Sequence, residues 1–179
     1  NLDGASFLDT QLQEADFSYA VLSGADLDRA VLAGANLSEV YAPLLSAVDA
    51  DLSGADMAAA DVPRSDFEGA KFVGTNLAEA QMQGTDAQRA DFSEAVLRGA
   101  NLTRTWFEGA NFTDAKLEGA DLSIADLKDT RLVGAVLTDA VVLHTFFQGA
   151  LFSRATMLPF STEEAERLGM MLLALYEFV

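Results

Sequence analysis

Cysteine is absent from the 179-residue chain, which also has a single histidine, a single tryptophan and three prolines. Without cysteine there is no disulfide framework, no thiolate metal site and no thiol nucleophile. The one histidine, His144, excludes a zinc site built from several histidines and has no recognisable triad partners. Long loops that could form a carboxylate-lined cleft are missing, as are glycine motifs that cradle phosphates. The sequence therefore predicts a protein that is not an enzyme and holds no cofactor or metal.

Positive charge and long apolar segments are also scarce. The chain has 11 Lys and Arg against 28 Asp and Glu, so its formal net charge is −17 at pH 7. That charge disfavours direct binding to nucleic acid, whose phosphates it repels, and favours solubility and cationic partners. The longest apolar run, Met170–Tyr176, is far shorter than a membrane-spanning helix. We therefore expect no transmembrane segment.

What the chain does contain is a five-residue repeat that keeps one register from Asn1 to Met157. One position of the five is nearly always small, and the position two residues later is large and apolar. The position between them is often Asp or Asn, and many repeats carry Gly two residues after the large one. The segment Ala50–Gly54 shows all four features.

A period of five fits neither the 3.6-residue period of a helix nor the two-residue period of an open strand. It fits a chain that turns a corner every five residues, with the small and large side chains pointing inward. Glycine after them supplies the positive φ that many tight turns need. Stacked turns of this kind would pair by parallel β hydrogen bonds about 4.8 Å apart. The pattern therefore predicts a single solenoid domain.

The tandem A(D/N)LXX pattern resembles the pentapeptide-repeat superfamily, and the resemblance covers the chain from about Asn1 to Met157. It implies an all-β solenoid, a right-handed quadrilateral parallel β-helix in which four sides make one coil of 20 residues. Residues 1–158 would then form roughly eight coils, on the order of 38 Å long. Residues 159–179 would form a short C-terminal α-helical cap and an apolar tail.

A 20-residue coil also predicts which side chains stack inside it. Two columns are expected to carry much of the stability, one passing through Leu12 and the other through Phe17. Truncating one of these large residues to Ala should cost roughly 2–5 kcal/mol. The predicted columns are Leu12, Leu32, Leu52, Phe72, Phe92, Phe112, Leu132 and Phe152, and then Phe17, Leu37, Met57, Leu77, Leu97, Leu117, Leu137 and Met157.

The repeat is irregular in one coil. From Val40 to Val48 the small and large phases are scrambled, which predicts either a bulged coil or a loop of in-frame length. Two interpretations stay open: a tolerated irregularity, or a bulge at Tyr41–Val48 that projects towards a partner. Elsewhere Ala87 replaces a large inward residue and predicts a local thinning of the core.

A different segment follows the repeats. The sequence Ser161–Glu164 is typical of a capping box that opens a short helix, from Thr162 to about Leu168, with Gly169 at its end. A solenoid leaves open strand edges on its last coil, so we expect this helix to act as a cap. The segment resembles the C-terminal close of many cyanobacterial and plastid members. The tail Met170–Val179 either packs over the last coil or docks within a larger assembly.

Outward residues also form columns, and one column is unusual. It holds Trp106 and Phe146 in a row of aspartates that begins at Asp26, with glutamates two residues further along. Exposed aromatics rimmed by charge are typical of binding hot spots; the alternative is that both rings lie flat against neighbouring side chains. The candidate partner-binding residues are Tyr41, Asp66, Glu68, Asp86, Trp106, Glu108, Asp126, Phe146, Met170, Met171, Leu172, Leu175, Tyr176 and Phe178.

Two functional hypotheses follow. The preferred one is a rigid, non-catalytic interaction module, a scaffold or accessory subunit of a larger assembly whose partner is another protein or protein complex. The alternative is a DNA mimic, because some pentapeptide-repeat relatives bind DNA gyrase in place of DNA. About one net charge per 2.2 Å approaches the one per 1.7 Å of duplex DNA. A mimic should show one continuous negative face, whereas the acidic residues here are spread over all four sides.

The resemblance also bears on location. Several cyanobacterial and chloroplast relatives carry signals to the thylakoid lumen or periplasm. The chain begins without Met, and Asn1 falls inside a repeat, so we expect a targeting segment to have been removed. This favours the thylakoid lumen or the periplasm and a photosynthetic assembly, with the cytoplasm as the alternative. The pattern does not specify an oligomeric state.

Overall fold

The repeats form four-sided coils in the computed structural model, which describes residues 1–173. In each repeat the residue between the small and the large position pairs in parallel with the residue 20 further along. The first pairings, one for each side, are Ser6 with Asp26, Gln11 with Val31, Asp16 with Asn36 and Val21 with Tyr41. The same four pairings then recur along the chain, so one coil takes 20 residues, as the family resemblance implies. We number the sides by their first repeats. Side 1 contains residues 1–5 and every repeat that stacks on them, and sides 2, 3 and 4 start in the same way from residues 6–10, 11–15 and 16–20.

A single repeat satisfies all five of its backbone N–H groups. In Asp26–Ala30 one N–H bonds the coil below and two bond the coil above, at 2.7 to 2.9 Å. The N–H of Ala30 closes the corner on the carbonyl of Leu27 at 2.9 Å. The N–H of Asp28 donates to Oδ1 of Asp26 at 3.0 Å. Since buried backbone donors need partners, the Asp or Asn of the repeat has a structural task, which is to cap its own corner.

Each corner is a four-residue turn, such as Leu27–Ala30. Its third residue has a positive φ, which is the pattern of a type II turn. From Gly4 to Gly149 these corner residues have φ between 53° and 76°, and 18 of them are not glycine. A left-handed conformation costs a non-glycine residue about 1–2 kcal/mol. Ile124, β-branched and at φ 63°, is the most demanding case. The ladders above and below therefore impose the corner geometry, whatever residue occupies the corner.

Stacked apolar side chains fill the interior. Phe92 lies over Phe72 with ring centroids 4.6 Å apart and planes 3° from parallel. Phe112 lies over Phe92 at 5.0 Å and 6°. The first predicted column is confirmed, because every member from Leu32 to Phe152 is buried and Leu12 packs partly buried against them in the first coil.

The coil at Val40–Val48 is regular, so the prediction of a bulge or loop there is wrong. Tyr41 pairs in register with the coils on either side. Leu45 occupies the small position and is buried, while Ala42 and Ala47 occupy the large positions on either side of it. Large and small residues have exchanged places within one coil. Val40 also fills a small position, so the larger side chains at Val40 and Leu45 offset much of the volume lost at Ala42 and Ala47, and the backbone keeps its register.

The register slips by one residue in the last coil, so the prediction for Met157 is also wrong. Arg131 pairs with Leu151, but Val136 pairs with Met157, which is one residue further along the chain than the 20-residue coil requires. Met157 consequently points outward, 55% exposed, and Leu158 takes the inward position against the core. The slip occurs where a complete coil lies on only one side of the chain.

Three short elements lie at the C-terminal end: β1 at Leu151–Phe152, α1 at Thr162–Arg167 and β2 at Met171–Leu172. The Ser161 side chain accepts the N–H of Glu164 at 3.2 Å and so caps the first turn of α1. After α1 the chain returns to the stack, and β2 pairs in parallel with β1. Within residues 1–173 no helix has the length and apolar character needed to cross a membrane.

Candidate interaction surface

The unusual outward column lies on side 2. Trp106 and Phe146 lie two coils apart in it, about 10 Å at the spacing of parallel strands. Each is 53% exposed, so both rings present about half of their surface to solvent. The column runs, coil by coil, through Ser6, Asp26, Ser46, Asp66, Asp86, Trp106, Asp126 and Phe146.

The aspartates of this column have a structural role that the sequence analysis missed. Asp66, Asp86 and Asp126 each accept the N–H two residues further along at 3.0 Å. Trp106 and Phe146 occupy the same position in their repeats but have no acceptor to offer. In the described structure the N–H two residues after each aromatic has no partner. The aromatics therefore stand where the corner favours Asp or Asn.

Negative charge is concentrated on side 2. Acidic residues occur on all four sides, as predicted, but side 2 carries ten against three basic residues, whereas side 1 carries three against two. A protein surface of one sign attracts partners of the opposite sign. The acidic residues are Asp9, Asp26, Asp28, Asp49, Asp66, Glu68, Asp86, Glu108, Asp126 and Asp129, and the basic ones are Arg29, Arg89 and Lys128.

The electrostatics change along side 2. Around Asp66 burial raises the pKa of its carboxyl group, and the Asp28 carboxylate raises it further. Towards the C-terminal end Lys128 pairs with Asp126 at 3.0 Å, and its Nζ lies 5.3 Å from the ring centroid of Phe146. The hydrogen bond to Asp126 raises the pKa of Lys128. The stretch between Asp28 and Asp86 is therefore the more strongly negative part.

Further apolar side chains border this column at the C-terminal end. Ile124, Val141 and Leu143 are 46%, 41% and 65% exposed, and they lie on side 1 next to the corner that leads to Phe146. The sequence analysis overlooked Ile124. Its signal was an apolar residue at the corner position, where glycine and charged residues prevail. In the part of the chain that the structure describes, no group of three or more His, Asp or Glu could hold a metal ion.

The remaining candidate partner-binding residues that the structure describes lie away from the side 2 column. Tyr41 is 49% exposed on side 1, in a regular coil and not on a bulge. Met170 does not belong among the exposed candidates, because it is 4% exposed and packs in the core. Met171 and Leu172 are exposed on β2, which lies over side 3. Leu175, Tyr176 and Phe178 lie outside the described residues.

Comparison with known structures finds several similar coils at low identity. HetL, a pentapeptide repeat protein involved in heterocyst differentiation regulation from the cyanobacterium Nostoc, is 24% identical, with a TM-score of 0.37 over 84% of this chain and 88% of HetL. QnrB1, a plasmid-mediated fluoroquinolone resistance protein, is 18% identical, with a TM-score of 0.48 over 94% and 97%. A thylakoid lumen pentapeptide repeat protein of Arabidopsis thaliana is 21% identical, with a TM-score of 0.25 over 89% and 74%.

Family membership follows from the repeat itself. No curated protein matches the chain. The family model for pentapeptide repeats, in contrast, matches residues 10–41, 50–86, 75–114 and 115–154 in eight copies. These segments cover most of the coil stack and leave out the exchanged positions around Leu45. The fold of this family, a right-handed quadrilateral β-helix, is the one described above, and the chain belongs to the pentapeptide repeat family.

Proposed function

We propose that the protein is a non-catalytic interaction module whose side 2 docks on a basic protein surface that carries an apolar patch. Proteins of this family are generally structural or interaction modules rather than enzymes. The observation that carries the proposal is the half-exposed pair Trp106 and Phe146 at positions where the corner favours an Asp or Asn cap. An accessory subunit of a larger assembly, such as a photosynthetic complex of the thylakoid, is the role we infer.

The local chemistry of the two aromatics supports a binding role. Sequences that specify a fold well agree with it at every level, and departures are expected at functional sites. Trp106 leaves a corner N–H without its side-chain acceptor and places about half of a large apolar surface in water. Neither feature stabilises the coil. Tryptophan is also among the residues most enriched at the energetic centres of interfaces.

Charge defines the chemistry of the partner. The ten acidic residues of side 2 lie along the same side of the stack as the two aromatics, so a partner must combine Lys or Arg with an apolar contact. Rim charges act mainly on the association rate and on its salt dependence, while the buried centre determines dissociation. We therefore expect binding that weakens with salt but depends on the rings.

Replacing the aromatics by the residue that the corner favours tests the proposal. Trp106→Asn and Phe146→Asn each supply the missing corner acceptor, so we expect stability to be unchanged or slightly higher. A partner is first isolated from an extract of the organism that encodes the chain, then purified and titrated against each variant. The dissociation constant should rise at least about tenfold for each change. Trp106 is the only tryptophan, so the loss of acrylamide quenching of its fluorescence reports directly on contact.

Tyr41→Asn is the matched control, because Tyr41 is an exposed aromatic at the same repeat position on side 1. It should leave affinity unchanged. A partner that binds wild-type protein and both side 2 variants equally well would contradict the proposal, as would a partner that loses affinity only with Tyr41→Asn.

The concentration of charge on side 2 favours a second candidate function, a DNA mimic that binds gyrase. The variant carrying Asp26→Asn, Asp66→Asn, Asp86→Asn and Asp126→Asn keeps every corner acceptor and removes four charges. If side 2 imitates duplex DNA, purified gyrase should bind wild-type protein, lose most of its affinity for this variant, and tolerate Trp106→Asn. An absence of gyrase binding at low salt rejects this candidate.

We further infer that residues 159–179 close the stack formed by residues 1–158. Phe160 meets Phe147 edge to face at 5.7 Å. Ala165 of α1 is fully buried, and β2 covers the strand edge of β1. These contacts support a capping role for α1 and β2. Deleting residues 159–179 should lower the temperature of unfolding and cause association of the exposed ends, as measured by light scattering.

A further inference from the structure

The outward column of side 2 presents its side chains at a regular interval along the stack. Five successive members, each one coil further along, are Asp66, Asp86, Trp106, Asp126 and Phe146. Neighbouring members lie about 4.8 Å apart, which is the spacing of parallel strands. A partner that follows this column must therefore offer one contacting side chain roughly every 5 Å.

The two ends of the column differ in charge. Asp66 and Asp86 take part in no ion pair among residues 1–173. Oδ1 of each accepts a corner N–H at 3.0 Å, which leaves Oδ2 able to accept from a cationic donor. The basic residues of side 2, in contrast, each pair within the side: Arg29 with Asp9, Arg89 with Glu68, and Lys128 with Asp126. A partner therefore meets uncompensated negative charge at the start of the column and a compensated pair near Phe146.

The interval of the column discriminates between a strand and a helix as its partner. Side chains on one face of an extended strand recur about every 6.7 Å, so a strand in contact with Asp66 would place Trp106 midway between two of its side chains. On an α-helix, residues i, i+3, i+7, i+10 and i+14 share one face. The last four of these lie about 4.5, 10.5, 15 and 21 Å above residue i. The corresponding distances along the column are about 4.8, 9.6, 14.4 and 19.2 Å. A helix therefore matches all five coils to within about 2 Å, which flexible side chains can absorb.

We propose that side 2 binds a basic amphipathic α-helix of the partner, which lies along the stack, an inference that rests on the proposed function. Lys or Arg at positions i and i+3 of this helix contacts Asp66 and Asp86, and an apolar side chain at i+7 packs on Trp106. Position i+10 faces Asp126, whose charge Lys128 already balances, and a second apolar side chain at i+14 packs on Phe146. The positive end of the helix dipole favours an N-terminus over the acidic end of the column.

A designed peptide tests the proposal with the intact chain. The matched peptide is a stapled helix with Lys at i and i+3, Ala at i+10, and Leu at i+7 and i+14. The control peptide has the same composition and staple, but both leucines are moved two residues along, which turns them to the opposite face of the helix. Fluorescence anisotropy of the labelled peptides measures affinity, and the emission of Trp106, the only tryptophan, reports contact.

The matched peptide should bind at least tenfold more tightly than the control peptide. This advantage should disappear with Phe146→Asn and persist with Tyr41→Asn, while Asp66→Asn with Asp86→Asn should weaken binding and reduce its salt dependence. Equal affinity of the two peptides, or no binding of either at low salt, would overturn the proposal.

The partner titrations distinguish failure of this inference from failure of the proposed function. If the isolated partner requires Trp106 and Phe146 while the matched peptide has no advantage, side 2 docks on another kind of backbone and only the helix is rejected. If the partner ignores both rings, the proposed function fails whatever the peptides do, and the helix is rejected with it.

Discussion

The coils between residues 21 and 140 follow the repeat far more strictly than the C-terminal end, residues 141–173. In the middle, the inward residues have almost no exposed surface even where the sequence departs from the pattern, as at Leu45. At the end, the register slips by one residue, and Met157 is 55% exposed. The same five-residue pattern thus gives a strict coil in one region and a relaxed one in the other.

The difference teaches that the repeat is enforced by the coils on either side. A middle coil bonds one neighbour through its outward residue and the other through its inward and corner residues, so a one-residue slip would break both ladders. The last full coil has α1 and the two residues of β2 above it. A slip there disturbs a single ladder. In a solenoid each unit is stabilised by its nearest neighbours, and loss of one neighbour is what the end shows.

The largest expected effect compares two leucines of one column. Leu97 is fully buried between complete coils, whereas Leu158 is partly buried at the end. Leu97→Ala should lower the free energy of unfolding by about 2–5 kcal/mol, and Leu158→Ala by less than half of that. Urea denaturation followed by circular dichroism measures both. If the two losses are equal, the ends of the stack are as strictly packed as its middle.

A smaller effect is expected in the coil at Val40–Val48, where small and large inward residues have exchanged positions. Leu45→Ala removes the large side chain that lies between Ala42 and Ala47, so three successive inward positions become alanine, and it should cost about 2–3 kcal/mol. Adding Ala47→Leu, which restores the repeat pattern, should recover at least half of the loss. The double variant is compared with each single change by thermal unfolding. A recovery of zero would show that Leu45 fills space that the position of Ala47 does not reach.

The smallest expected effects on stability come from two carboxyl groups, Glu118 and Asp66, and they have opposite signs. The hydrogen bond from Arg98 lowers the pKa of Glu118, so this pair stabilises the fold above the ordinary pKa of Glu and loses its effect as pH falls through the lowered pKa. Burial raises the pKa of Asp66, so its contribution is present below the ordinary pKa of Asp and is lost as pH rises through the raised value.

At pH 7, Glu118→Gln should therefore reduce stability by up to about 1 kcal/mol. Asp66→Asn keeps the corner acceptor and should leave stability equal or higher. Both differences should shrink as the pH approaches about 3, near the ordinary pKa values of carboxyl groups. Denaturant unfolding at the two pH values checks the signs, and a destabilising Asp66→Asn at pH 7 would show that the charge on side 2 supports the coil.

Much of the fold was accessible from the sequence, because the requirements of a single repeat are local. The small and large inward residues identify the core, and the predicted column through Phe92 is present. Predictions made from pattern breaks were less successful. The scrambled phases near Leu45 indicated a bulge, yet Leu45 is buried at a small position between two alanines and the coil pairs in register, which a position-by-position reading of the pattern does not reveal.

The candidate surface was likewise predicted only in part from the sequence. The sequence placed Trp106 and Phe146 in one outward column, because a 20-residue coil fixes which residues stack. It did not reveal that the aspartates of that column cap their own corners, nor that Met170 is buried. The first depends on side-chain hydrogen bonds, and the second on the path that the chain takes back to the core after α1.

The sequence by itself determined the period and the inward residues, since both follow from what five residues need in order to turn one corner. The outward columns also required the four-sided coil that the family resemblance implies. Only the tertiary structure decided where the register holds and which aromatics stay exposed. These properties depend on contacts between residues 20 apart, and they change wherever a coil lacks a neighbour above it.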